Sequence, residues 1–266
     1  MCGIAGFSIS DADRQVIDSR KLAEALVLEI KVRGSHATGV VWSQFTTGES
    51  QPTIWYAKDN VPADRFIKTL KHVPRRSRTV LLHTRYATQG SSADNHNNHP
   101  IILPGVSLVH NGVIHNDDEL IKELKADRVG LVDSEAMAWL VESSSDYGQT
   151  LGKAKGSAAI AWIKTNAPRT LHLARLETSP LCIAETVGGS LVFASTKPLL
   201  EAALKTMKLE TAWIREINEM TYLRIRAGKV EDMIDVKRHH AKPILTTQDY
   251  MAMGSRDMRY AMPVIR

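Results

Sequence analysis

The chain opens MCGIAGFSIS (residues 1–10). A cysteine at position 2 stands directly before a glycine and an apolar run, and one other cysteine, Cys182, occurs in 266 residues. The run CGIAGFSI reads as a buried strand bounded by Asp11 and Asp13. An initiator Met is usually removed ahead of a small residue. Cys2 would then carry a thiol and a free α-amine on one residue, at the start of a core strand.

Working outward, RQVIDSRKLAEALVLEIKVR (14–33) places Leu22, Leu26 and Ile30 on one face, the spacing of an amphipathic helix. VVWSQF and TIWYAK read as a strand pair turning near Gly48. PADRFIKTLKHV starts a helix with Pro62 at its first position. TVLLHTRYA is a strand that turns polar after His83, and GSSADNHNNHP is a polar loop in which Asn95, Asn97 and Asn98 build turns. VSLVHNGVI is a strand interrupted by His110-Asn111-Gly112. DDELIKELKA and DSEAMAWLVESS are helices, the second capped by Asp133 or Ser134. SAAIAWIKT, TLHLARLE, PLCIAET and SLVFAST are short apolar runs split by turn signals, which makes them antiparallel strands. KPLLEAALKTM is a helix, and MTYLRIR and KVEDMIDV are closing strands. Helices paired between antiparallel groups of strands predict an α+β layered domain, not a parallel doubly wound sheet. The domain is expected over 2–240. A tail over 241–266 is left open between a partner-docking segment and a disordered one.

Hydrophobic residues are 43% of the chain and charged residues 24%, an ordinary globular balance. Two cysteines cannot build a disulfide framework, and the expectation is a reducing, cytoplasmic setting. No stretch reaches the roughly 18 apolar residues of a membrane span, no secretory signal is visible, and Gly3 is one position late for myristoylation. The formal charge is +5. Basic residues gather in KHVPRRSR (71–78) and KRHH (237–240). Neither run interleaves aromatics for base stacking, so both are read as solvated loops and nucleic acid is not an expected partner.

The polar breaks at strand ends carry the chemistry. A free α-amine titrates near 7.7–8.0 and a thiol near 8.5, so Cys2 could supply a nucleophile and its own base. Asn111 and the Gly112 N–H are donors for a developing oxyanion. Arg85 suits a carboxylate and Asp133 an ammonium. Thiol, oxyanion donors, cation and anion together fit an amino-acid substrate with a scissile acyl group.

CGIAGF, HTRYATQG…NHNNHP, LVHNGVIHNDDEL and VDSEAMAWLVE, in that order, resemble the glutaminase domain of class II glutamine amidotransferases. The likeness is strongest to the N-terminal domain of glucosamine-6-phosphate synthase. It runs from Cys2 to about Arg226. The resemblance implies an N-terminal nucleophile hydrolase fold, a four-layer αββα sandwich with two antiparallel sheets. It implies Cys2 as nucleophile after loss of Met1, Asn111 and Gly112 as oxyanion hole, Arg85 on the α-carboxylate of L-glutamine and Asp133 on its α-ammonium. Thr88 matches a substrate-contacting Thr, and Arg33 and Gly34 fall in a loop near the nucleophile. Tyr86 stands where the family has Trp, Gln89 where it has His, and His36 where it has Asp. These changes leave the core chemistry intact and bear on the substrate loop.

The expected activity is hydrolysis of L-glutamine to glutamate and ammonia, with the ammonia passed to an acceptor synthase on a separate chain, since no sugar-isomerase half follows. The alternatives are a stand-alone amide or γ-glutamyl hydrolase and a silent interaction module. His83, His96, His99, His110 and His115 match no compact ligand motif, so no metal and no cofactor are expected. His83 and His110 are read as hydrogen-bonding residues that shape the site loops, and Cys182 as an inert core thiol.

Overall fold

The computed structural model describes residues 1–45, 48–49 and 51–239. The tail expected from 241 lies outside the described residues. In chain order the strands are β1 (Gly3–Ser8), β2 (Ala37–Gln44), β3 (Thr53–Asp59), β4 (Thr79–Arg85), β5 (Ile101–Ile102), β6 (Val106–Ile114), β7 (Gly156–Lys164), β8 (Ala167–Arg175), β9 (Cys182–Thr186), β10 (Leu191–Ala194), β11 (Thr211–Glu216), β12 (Thr221–Arg226) and β13 (Lys229–Asp235). The helices are α1 (Ser19–Ile30), α2 (Ala63–Phe66), α3 (Asp117–Leu124), α4 (Asp133–Glu142), α5 (Tyr147–Thr150) and α6 (Lys197–Thr206).

The strands form two sheets, ordered β11-β9-β10-β1-β4-β2-β3 and β13-β12-β8-β7-β6-β5. Neighbours within each sheet are antiparallel. Helices α1 and α6 cover the first sheet, and α3 and α4 lie over the second. The sheets pack face to face over Ile4, Leu81, Val109, Leu173 and Phe193. The result is the αββα sandwich.

Each central strand is therefore buried on both faces. In β1, Ile4 points into the core between the sheets, while Ala5 and Phe7 point into the core beneath α1. Successive side chains alternate faces, and since both faces are dry the strand reads as a continuous apolar run. That is why CGIAGFSI shows no alternation. Among the described residues, no helix is long and apolar enough to cross a membrane.

The structure corrects several local readings. The helix expected over 14–33 begins at Ser19, because the Asp18 carboxylate caps it by accepting from the Arg20 and Lys21 N–H groups. Short 3₁₀ turns occupy Asp13–Gln15 and Lys31–Arg33 instead. Pro62 is the extended residue ahead of α2, one position before the first helical residue. Strand β11 has no counterpart in the sequence reading. It is a half-exposed edge strand whose TAWIRE pattern lacks a clean period.

Candidate active site

Register places the site. Gly3 pairs with Thr84, and Ala37 pairs with Arg85. The start of β1 therefore lies beside the end of β4 and the start of β2. Cys2, one residue ahead of β1, sits at the end of the first sheet. The second sheet faces it with β6, which carries Asn111 and Gly112.

The Cys2 thiol is held by backbone. Tyr86 N–H donates to Sγ at 3.5 Å, and the thiol lies 3.7 Å from the Tyr86 carbonyl. Burial pushes the thiol up from its ordinary value, against the Tyr86 backbone, the N-terminal amine and the Arg85 guanidinium, which favour the thiolate. The Asp133 carboxylate acts with burial. The α-amine, here on Met1, is held below its ordinary value mainly by burial.

Arg33 and Gly34 frame Cys2. Arg33 Nε–H donates to the Cys2 carbonyl at 2.8 Å, so this side chain positions the Cys2 backbone. Gly34 passes so close to the end of β4 that an added Cβ would lie 2.4 Å from the Arg85 carbonyl carbon. His36 then accepts through Nδ1 from the Ala87 N–H at 2.9 Å and stacks on the Tyr86 ring at 4.9 Å. That fixes Tyr86, 48% exposed, as a flank of the entrance rather than a core residue.

Arg85 is 3% exposed. It donates to Asn98 Oδ1 at 2.8 Å, to the Gly90 carbonyl at 3.0 Å and to the Gln89 carbonyl. These bonds use three of the five guanidinium N–H groups and leave two for a ligand. Thr88 and Gln89 lie exposed in the loop that Arg85 clamps. Lys58 holds the far side of the same loop through the Asn98 and Pro100 carbonyls, at 2.8 and 3.0 Å, and burial lowers its ammonium to about 8.

On the second sheet, Asn111 is 3% exposed and its Nδ2 has no hydrogen-bond partner among the described residues. A buried donor left open is rare and asks for an acceptor. Gly112 has φ of +154°, and an added Cβ would lie 2.0 Å from the Ser157 carbonyl oxygen, so only glycine fits. Asp133 is the first residue of α4, not its cap, and Ser134 makes no cap bond either. The Asp133 carboxylate accepts from Ile114 N–H at 2.7 Å and from the Ser134 hydroxyl at 3.3 Å. This ties α4 to β6 just past the Asn111-Gly112 pair. Cys2, Arg85 and Asp133 each bear on the ionisation of another of the three, which places them in one electrostatic neighbourhood.

Sequence reasoning did not single out Lys58 or Glu135. Glu135 accepts from the Val129 and Gly130 N–H groups at 2.8 and 2.6 Å, and Asn97 accepts from Leu131 N–H at 2.7 Å. Together they join the two loops flanking the site. Nothing in local sequence announces such a pairing, because the partners are backbone groups that follow no helix or strand period, and Leu131 lies 34 positions from Asn97. Cys182 is buried in β9, and burial pushes its thiol up, as befits a core residue.

Behind the site lies a histidine cluster. His83 Nε2 lies 3.0 Å from the His110 carbonyl, His110 Nδ1 lies 2.9 Å from Ser134 Oγ, and His83 stacks on His99 at 3.9 Å. Burial lowers His83 to about 3, His99 well below its ordinary value, and His110 in the same direction. His172, on β8, is lowered by burial to about 3. Each is neutral when folded, while the unfolded chain takes up protons near pH 6.5. Unfolding therefore binds protons, and stability falls as pH drops from about 6.5 toward 3. Urea unfolding at pH 7.5 and 5 should show a lower midpoint at pH 5, with a smaller drop in His172→Gln. Among the described residues, no three His, Cys, Asp or Glu side chains are grouped to hold a metal ion.

The family model of the glutamine amidotransferase domain matches residues 83–202. The glutamine–fructose-6-phosphate aminotransferase [isomerizing] of Thermococcus kodakarensis is 30% identical over 248 residues, which cover 86% of this chain. This is a class II glutamine amidotransferase domain. The domain spans 38% of that relative, and 25% of the Escherichia coli enzyme of the same name, to which it is 32% identical over 155 residues and 54% of its own length. Among solved structures, the glutamine phosphoribosylpyrophosphate amidotransferase of B. subtilis superposes with a TM-score of 0.69 at 19% identity, over 89% of the domain and 49% of that chain. At that identity the likeness speaks for the amidotransferase fold.

Proposed function

We propose that the domain hydrolyses L-glutamine to glutamate and ammonia through a thioester on Cys2. The observation that carries the mechanism is that the hydrogen bonds of the Cys2 thiol, which burial pushes up, run among the described residues only to the backbone of Tyr86. With no side-chain base hydrogen-bonded to the sulfur among the described residues, the base is the α-amine of Cys2 itself, once Met1 is removed. The amine takes the thiol proton, and sulfur attacks the side-chain amide carbon of glutamine. Asn111 Nδ2 and Gly112 N–H hold the oxyanion. The amine returns its proton to the departing ammonia, leaving a γ-glutamyl thioester. Water, deprotonated by the same amine, then adds to the carbonyl and releases glutamate and the thiol.

In this reading Arg85 receives the α-carboxylate with its two remaining N–H groups, and Asp133 the α-ammonium. Thr88, Tyr86 and Gln89 form one wall of the substrate site, and Arg33 positions Cys2. The glutaminase unit comprises 2–240, acts in the cytoplasm and passes ammonia to an acceptor synthase on a separate chain. Co-purification followed by an ammonia-transfer assay tests that last point.

The base is tested by comparing two preparations whose N-termini are verified by intact mass. One begins at Cys2, and the other retains Met1 behind a short extension. Only the first should release ammonia from glutamine. Equal activity in both would show that the Cys2 amine is not the base.

A further inference from the structure

A cavity of about 260 Å³ lies at the far ends of the strands that build the site. Strand β4 reaches Cys2 at Arg85 but starts at Thr79, about 20 Å away for a strand of this length. Around that start four arginines line the cavity: Arg14, Arg76, Arg78 and Arg169. They come from three separate stretches. Arg14 lies in the turn before α1, Arg76 and Arg78 in the basic run ahead of β4, and Arg169 in β8 of the other sheet.

Several arginines elsewhere in the molecule pair with acids. Arg128 holds Asp117 and Asp118, Arg175 holds Glu216, and Arg224 holds Asp232. Arg238, in the second basic run, reaches Glu177. Among the described residues, the cavity arginines have one such partner, the exposed Asp11 on Arg78 at 2.6 Å. Arg169 Nε is buried and has no hydrogen-bond partner among the described residues, and its guanidinium lies over the Phe45 ring at 4.8 Å. Burial and the neighbouring Arg78, Arg226 and Arg14 all disfavour charge on Arg169. Four guanidinium groups around one small space repel one another unless an anion sits between them.

We propose that this cavity binds a compact phosphate-bearing small molecule. Guanidinium groups bind phosphate oxygens in bidentate pairs, and several can share one multiply charged anion. The volume falls below the roughly 300–1,000 Å³ of drug-sized ligand pockets, so the occupant is of pyrophosphate or sugar-phosphate size. A nucleic-acid strand is disfavoured because the arginines ring a cavity rather than follow a groove, and the lining aromatic, Phe45, is already engaged by Arg169.

Inorganic pyrophosphate is the probe, titrated calorimetrically into the full chain at low ionic strength. One saturable site is expected. Arg169→Gln and Arg76→Gln should each weaken it by about 10- to 100-fold, the worth of a charge-assisted hydrogen bond. Arg75→Gln is the control, since Arg75 neighbours Arg76 but faces Asp18 at 3.6 Å. Its affinity should stay within about twofold of the parent. Arg76 is exposed, so its variant carries the test if Arg169→Gln does not fold. Absence of saturable binding would overturn the proposal, as would an equal loss in Arg75→Gln. A single-stranded oligonucleotide that displaces pyrophosphate with affinity rising with length would overturn it in favour of a nucleic-acid surface.

Discussion

Cys2→Ala removes ammonia release from glutamine while leaving the melting temperature near that of the parent. The expected loss is on the order of 10⁶-fold in kcat, as for removal of a covalent nucleophile that works as a unit with its base. The two halves of this result have separate physical grounds. The catalytic half follows because no other thiol can replace Cys2: Cys182 is buried in β9. The stability half follows because Cys2 is only partly buried and, among the described residues, its Sγ hydrogen-bonds to the backbone of Tyr86 and to no side chain, so its loss orphans no buried side chain. Cys2→Ser retains a nucleophile of similar shape but higher pKa, and should be nearly as inactive. Acid quench with glutamine followed by intact mass should find the γ-glutamyl adduct on the parent and none on Cys2→Ala. Substantial residual turnover by Cys2→Ala would remove the thioester from the mechanism.

Asn111→Ala should lower kcat by about 10²–10³-fold, the range for loss of one oxyanion donor. KM should change little, because the donor is needed where charge develops and not in the ground state. The structure adds a second readout. Asn111 Nδ2 is buried with no partner among the described residues. Truncation removes an unsatisfied donor, so the variant should be as stable as the parent or more so. A structural asparagine would behave the other way, losing stability with the side chain. Steady-state kinetics and urea unfolding on the same preparation separate the two. Falling stability with unchanged kcat would assign Asn111 to the scaffold.

The layered α+β fold was legible because both kinds of evidence sit in local sequence. Strands β7 to β10 are short apolar runs split by turn signals, and α1 and α6 show one apolar face each. The edges were less legible. β11 is half exposed and pairs with β9 through a register shift, so its sequence carries no clean alternation. Helix starts were misplaced by a residue or more where a cap decided them, as Asp18 does for α1. Asp133 looked like a cap because an acid opens a helix there. Its carboxylate instead turns to the Ile114 N–H, a partner on β6 that no helix pattern can show.

By itself the sequence determined the nucleophile candidate and the residue types around it. A cysteine at position 2, an Arg at the end of one strand, an Asn-Gly break in another and an Asp opening a helix are local facts. Tertiary structure decided what each of them touches. Strand register brings Arg85 beside Cys2, and the packing of two sheets brings Asp133 into the same field. The same packing turns Arg85 into a loop clamp and leaves the Asn111 amide open. It also gathers Arg14, Arg76, Arg78 and Arg169 around one cavity, although in sequence two of them belonged to an ordinary basic loop. The physical reason is one of range. Propensity and hydrophobic period act over a few residues, whereas the hydrogen bonds and fields of a site join residues a hundred positions apart.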